Sequence, residues 1–145
     1  MTAFRIQRPD TAFSLDRDRK SRTARRHEQS HLAFVRSLPC TICGTRRQVE
    51  AAHVRYADPT YGKATTGLGT KPDDRFTLPL CAEHHRIGEQ SQHANGEKEW
   101  WGHHRIDPLL VALKLHCVSG DELAAEAVLA AARQPVSAQY GRTEP

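Results

Sequence analysis

The sequence predicts an α+β fold: a small metal-braced hairpin followed by a helix, with helices flanking that core and a flexible basic N-terminal arm. Three observations lead there. Cys40-Thr-Ile-Cys43 and Cys81-Ala-Glu-His84 are two ligand pairs at metal spacing, with thirty-eight residues from Cys43 to Cys81. Between them lie two short segments of strand length, Gln48 to Val54 and Phe76 to Leu80. With 145 residues and 38% hydrophobic content, the chain is thinly supplied for a core of its size. A metal staple offsets that shortfall.

Taken in order, residues 1–26 mix Arg, Asp, Ser and Thr without hydrophobic periodicity and are read as a flexible basic arm. Leu32, Val35 and Leu38 then recur at near-helical spacing, so His27 to Leu38 is predicted as a helix that Pro39 stops. Cys40 to Gly44 is a knuckle whose glycine permits the turn that aims both sulfurs at one point. The first strand ends at His53, and Tyr56 to Pro72, rich in Gly, Thr, Pro and Lys, forms a loop long enough to suggest function. Phe76 to Leu80 returns as the second strand, with Pro79 confined to an edge or a departure point.

Cys81 to Glu89 is predicted as a helix carrying Cys81, His84 and His85 in its first turns. Trp100, Trp101, Leu109, Leu110, Leu113 and Leu115 suggest a helix packing back over the core, with Pro108 at its start. Asp121 to Arg133 reads as an Ala-rich helix with Leu123, Ala127 and Leu129 to Ala130 on one side. The chain thus divides into an arm (1–26), a core domain (27–115), a helical addition (116–134) and a loose tail (135–145). It contains no internal repeat.

Net charge is +4 with a pI near 9.1. Residues 1–36 hold nine Lys or Arg against four acids. Nucleic acid is the natural partner of such a run, although a solvated arm that merely maintains solubility carries the same signature. No apolar run reaches the length of a membrane span, and the N-terminus lacks the secretory pattern, which points to the cytoplasm. In a reducing compartment the paired C-x2-C and C-x2-H spacings favour metal ligation over disulfides. Cys117 has no place in that scheme and is read as a buried apolar residue.

Cys40, Cys43, Cys81 and His84 make a Cys3His set for structural zinc, closed by its four ligands. His85, one residue further along a helix, points about 100° away from His84 and so toward other chemistry. It would face the hairpin where the first strand delivers His53. Two such histidines suit a general base and a metal ligand.

Cys40-x2-Cys43, Ala52-His53-Val54-Arg55, Gly67 to Asp74, Pro79-Leu80-Cys81-x2-His84-His85-Arg86 and Gln92-His93 together resemble the prophage-type HNH endonucleases. These are small proteins of the ββα-metal type, more distantly similar to the Ref-type recombination nucleases of phages. The resemblance covers about residues 27 to 115 and includes Trp100-Trp101 and Ile106-Asp107-Pro108-Leu109. It implies hydrolysis of DNA phosphodiesters with one catalytic divalent cation, Mg2+, Mn2+ or a similar ion, beside the structural zinc. It further implies that His53 activates water and His85 helps hold the ion, with DNA and a recombination or packaging protein as candidate partners.

The chain departs from that pattern at Ala52, where many relatives carry an Asp ligand. His93 is the candidate replacement, with Glu89, four residues after His85, as the alternative. His84 stands where many relatives have a fourth cysteine. The middle Asn of the motif has no clear equivalent before Cys81, and Asp73 or Asp74 would brace the loop instead. Arg55, Lys71 and Arg86 are candidate phosphate contacts, Arg through its forked guanidinium, while Lys71 is equally well read as a solvent-exposed side chain. Trp100 and Trp101 are read as core anchors, and His103 and His104 as ordinary surface residues. The competing function is a non-catalytic zinc module that binds DNA or a protein partner, which needs neither His53 nor His85.

Overall fold

In the computed structural model, residues 27–65 and 71–133 are described. The predicted basic arm (1–26), the tail and residues 66–70 lie outside them. Helix α1 spans Gln29–Ser37 and buries His31, Leu32 and Val35. It stops where Leu38 turns extended, as a residue preceding proline must.

Strands β1 (Val49–His53) and β2 (Thr77–Cys81) pair antiparallel, with Glu50 opposite Leu80, Ala52 opposite Leu78 and His53 opposite Thr77. Backbone bonds from Ala82 to Gln48 and from Val54 to Phe76 bracket the ladder. Pro79 sits inside β2, opposite Ala51. The bonded pairs fall on even-numbered β1 residues, so the position of Pro79 faces away from β1 and its missing N–H interrupts nothing. Its outward carbonyl instead accepts the Thr41 N–H at 2.8 Å and hydroxyl at 2.9 Å, which ties the cysteine knuckle to the sheet.

The segment after β1 is not structureless where it is described. Asp58 and Lys63 bridge across a tight turn, with Asp58 capping Pro59–Tyr61. The Lys63 side chain folds inward and its ammonium donates to the carbonyls of Arg55 and Tyr56. Burial lowers its pKa despite nearby Glu97 and Asp73.

The helix predicted over Cys81 to Glu89 is instead a single π-helical turn, Glu83–Ile87, closed by Gly88 N–H on the Glu83 carbonyl. Gly88 is extended and ends it, and the next two carbonyls, of His84 and His85, are taken by the N–H groups of Gln92 and His93. The chain therefore doubles back under the turn, and Glu89 is not one helical turn beyond His85.

The expected helix does start at Pro108, but the tryptophans that were grouped with it lie on a separate helix before it. Helix α2 is Glu97–His103 and α3 is Pro108–Cys117. Proline is tolerated only in the first turn, so Pro108 starts a new helix, with the Asp107 carboxylate capping Leu109 and Leu110. Helix α4 covers Glu122–Arg133. Its inward stripe is Ala125, Val128, Leu129 and Ala132, whereas Leu123 is 81% exposed and Ala127 and Ala130 also face solvent. Burial of Ala125 and Leu129 in the core sets that rotation, and Glu122 and Glu126 pair with Arg46 at the surface. Cys117 is exposed, not buried, because α3 packs through Leu109, Ala112 and Leu115.

A single apolar cluster joins these elements: Val54, Phe76, Leu78 and Leu80 from around the hairpin, Trp100 and Trp101 from α2, Leu109 and Leu115 from α3, and Ala125 and Leu129 from α4. The tryptophans pack as core anchors, Trp100 also donating its indole N–H to the Gln90 carbonyl. Among the described residues, no helix is long and apolar enough to cross a membrane.

His31 is an unusual member of α1. It is buried, with Nδ1 2.9 Å from the Ser119 hydroxyl and Nε2 without a hydrogen-bond partner. Burial lowers its pKa, and His116, edge-on at 4.9 Å, lowers it further against the opposing pull of Glu28 and Asp74. A base depressed in the folded state binds fewer protons than in the unfolded chain. Its contribution is therefore fully present above the ordinary histidine range and is lost as pH falls through the lowered value. Urea midpoints should drop between pH 7.5 and pH 5.5 more steeply for the natural chain than for His31→Gln. Equal slopes would show that His31 is not the titrating group.

Candidate metal centre and adjoining cleft

Three elements deliver the four residues of the sulfur-rich cluster. The knuckle between α1 and β1 supplies Cys40 and Cys43, β2 ends in Cys81, and the π turn carries His84. Gly44, at φ +73°, lets the knuckle close with its N–H on the Cys40 carbonyl. The four ligand atoms lie within 4.8 Å of one another. Cys43 and Cys81 sulfurs are 3.9 Å apart, and His84 Nδ1 lies 3.1 Å from Cys81 Sγ and 3.9 Å from Cys40 Sγ. Zinc bonds of about 2.3 Å to sulfur and about 2.0 Å to nitrogen imply tetrahedral edges of about 3.8 Å between sulfurs and about 3.5 Å from sulfur to nitrogen. The donor set can hold a structural metal such as zinc, with His84 ligating through Nδ1. Among the described residues this is the one group of three or more potential ligands drawn so close.

Burial pushes the thiol of Cys40 up, but N–H groups of Cys43, Cys81 and Ile42 together outweigh it and lower the pKa. Cys81 is pushed up to about 11 by burial and by the neighbouring Cys40. Arg133 at the end of α4 donates to the Cys40 carbonyl at 2.9 Å, so the last helix braces the knuckle. The other histidine pair lies alongside: His104 packs against Trp100 at 4.4 Å with His103 behind it, and neither belongs to the cluster.

Beyond this clasp lies a cleft of about 300 Å³ lined by His53, Arg55, Gln92, His93, Gly96 and Glu97. At the end of β1, His53 has Nε2 2.8 Å from Oδ1 of Asp74, whose side chain is fully buried. The other carboxylate oxygen of Asp74 accepts the Glu28 N–H at 2.8 Å and lies 3.4 Å from His27 Nδ1. Of the two aspartates, Asp74 is thus the one that braces; Asp73 pairs with Arg75.

His93 reaches the same cleft because the chain doubles back after the π turn, and its ring packs edge-on against His85 with centroids 4.7 Å apart. Burial lowers the pKa of His93, and His85 and Arg55 lower it further. His85 turns toward the hairpin, where Nδ1 is 2.6 Å from Oε2 of Glu50. Arg86 closes on the same carboxylate at 2.8 Å and holds Glu50 below the usual carboxylate range. Arg86 is therefore engaged by Glu50, while Arg55 stands exposed at the cleft and Lys71 is exposed at the border of residues 66–70.

Two carboxylates escaped the sequence reading. Glu97, the first residue of α2, accepts the Arg55 N–H at 3.0 Å and the Gln92 amide at 2.9 Å and forms the cleft floor. Burial raises its pKa against the backbone N–H groups of Arg55 and Tyr56 and the charges of Lys63 and Arg55. Glu50 could have been suspected from its even spacing to Ala52 along β1, which puts both on one strand face. Nothing local in the sequence marks Glu97.

No curated protein and no solved structure matches the chain. Residues 9–109, more than half of the chain and including the Cys3His cluster and every residue of the cleft, match the family described as "Protein of unknown function (DUF968)". By the extent of that match, the chain belongs to the DUF968 family.

Proposed function

We propose that this protein is an HNH endonuclease that hydrolyses DNA phosphodiester bonds with a divalent cation, within a zinc-braced ββα-metal core, and that it is phage- or prophage-associated. The observation that carries the reading is the convergence on one cleft of His53, backed by buried Asp74, and His93, which rests on His85. A purely structural zinc clasp requires none of these.

His53 is the general base. Asp74 at Nε2 orients the ring that takes the proton from water, and the buried carboxylate stabilises the imidazolium that forms. His85 and His93 fit a cation site: the two imidazoles pack edge-on with centroids 4.7 Å apart, and the lowered pKa of His93 keeps it neutral, as a ligand must be. A cation held there would neutralise charge on the phosphate and the leaving oxygen. Two nitrogen donors favour Mn2+ or Ni2+ over Mg2+, which prefers oxygen. Arg55 at the cleft mouth suits a phosphate oxygen, and Lys71 lies on the neighbouring segment. The basic arm adds affinity without sequence preference.

The test is cleavage of supercoiled, linear and single-stranded DNA in Mg2+, Mn2+ and Ni2+, beside the His53→Ala/His85→Ala double variant. Cutting by the natural chain and none by a folded, zinc-replete variant is expected. Equal nicking by both would refute the assignment. A second reading, a zinc module that binds DNA without cutting, is favoured by the tight drawing-together of the Cys3His ligands alone. Binding with no cleavage under any ion would select it.

A further inference from the structure

Ala52 leaves the proposed cation site without an acid at the usual place, and its side chain is committed elsewhere: it is 1% exposed, facing the core beside Val54 and opposite Leu78. A carboxylate there would be buried among apolar groups. Two residues earlier on the same strand face, Glu50 stands at the edge of that core under the π turn. Its Oε2 lies 2.6 Å from His85 Nδ1, and Arg86 grips the carboxylate through Nε and a terminal nitrogen. Both oxygens are thereby fixed, and the only ring nitrogen of His85 not addressed by Glu50 is Nε2. Metal-binding histidines commonly donate their other N–H to a carboxylate, which sets tautomer and ring orientation.

We infer that Glu50 is a positioning residue that holds His85 as its Nδ1–H tautomer and presents Nε2 as the cation ligand, with Arg86 serving to lock Glu50 in place. This rests on the cation site proposed above. It gives Arg86 an intramolecular task in place of phosphate binding, and it gives the strand a long-armed acid acting through His85 where a short one at Ala52 would have bound directly.

The experiment reads the ring and the ion separately from DNA cleavage. Long-range ¹H–¹⁵N correlation of the zinc-loaded protein should show His85 as the Nδ1–H form, and Mn2+ titration followed by electron paramagnetic resonance gives the cation affinity. Glu50→Ala is expected to weaken Mn2+ by about 10- to 100-fold with unchanged zinc content. Glu50→Gln, whose amide oxygen can accept the same bond, should restore the tautomer and part of the affinity. Should Glu50→Ala fail to fold, Glu50→Thr takes its place.

An Nε2–H ring in the natural chain, wild-type Mn2+ affinity in Glu50→Ala, equal loss in Ala and Gln variants, or no Mn2+ binding at all would each overturn the inference. Glu50-dependent Mn2+ binding in a protein that cuts no DNA would uphold it while removing the nuclease reading.

Discussion

Chelating the metal, or replacing Cys40 by Ser, is expected to unfold the domain rather than merely weaken it. The Cys3His cluster gathers the knuckle, the end of β2 and the π turn at one point, and helices that look remote depend on it. Thr41 bonds to the Pro79 carbonyl of β2, and Arg133 of α4 reaches the Cys40 carbonyl. Structural zinc contributes on the order of 10–16 kcal/mol in small domains, comparable to or larger than the whole stability of about 5–15 kcal/mol typical of a folded protein. Far-UV circular dichroism should collapse as zinc is withdrawn and return when it is restored. A Cys40→Ser protein with native ellipticity and one equivalent of zinc would sink the claim. Cys117→Ser, by contrast, should be silent, because that thiol is exposed and outside the cluster.

The second large effect concerns the dyad of β1 and the segment before β2. His53→Ala should lower DNA cleavage by about 10²- to 10⁴-fold while zinc content and melting temperature stay near those of the natural chain, since the ring lies at a cleft wall and not in the core. Asp74 should behave differently. It is fully buried and its two oxygens serve the His53 ring and the Glu28 N–H at the entry to α1. Asp74→Ala abandons these bonds, at about 1.5–3 kcal/mol each, along with the contact to His27, so it should lose stability as well as activity. Matched denaturation and cleavage assays separate the two. An Asp74→Ala chain as stable as the natural one, or a His53→Ala chain that cuts at full rate, would contradict the arrangement.

Much of this fold is legible in the amino-acid order because the signals are local. The hairpin strands begin and end within a residue or two of expectation, and α1 ends where Pro39 requires. Where the reading failed, the deciding partner was distant. Leu123 was assigned to the buried side of α4, but the core built by elements far earlier in the chain takes Ala125 and Leu129 and leaves Leu123 exposed. The helix after Cys81 was drawn too long because composition does not reveal that the carbonyls of His84 and His85 will be taken by Gln92 and His93. That return is also what favours His93 over Glu89 as the neighbour of His85.

The sequence by itself marked the candidate metal ligands: spacings of two intervening residues put the two donors of each pair side by side, and the pairing of β1 with β2 then brings the two pairs together. Only the tertiary structure decided which carboxylates stand behind the histidines, Asp74 at His53 and Glu50 at His85. Those pairings join residues 21 and 35 positions apart. They form because strand pairing and core burial have already fixed the backbones, and a carboxylate bond to an imidazole leaves no periodic trace in the chain.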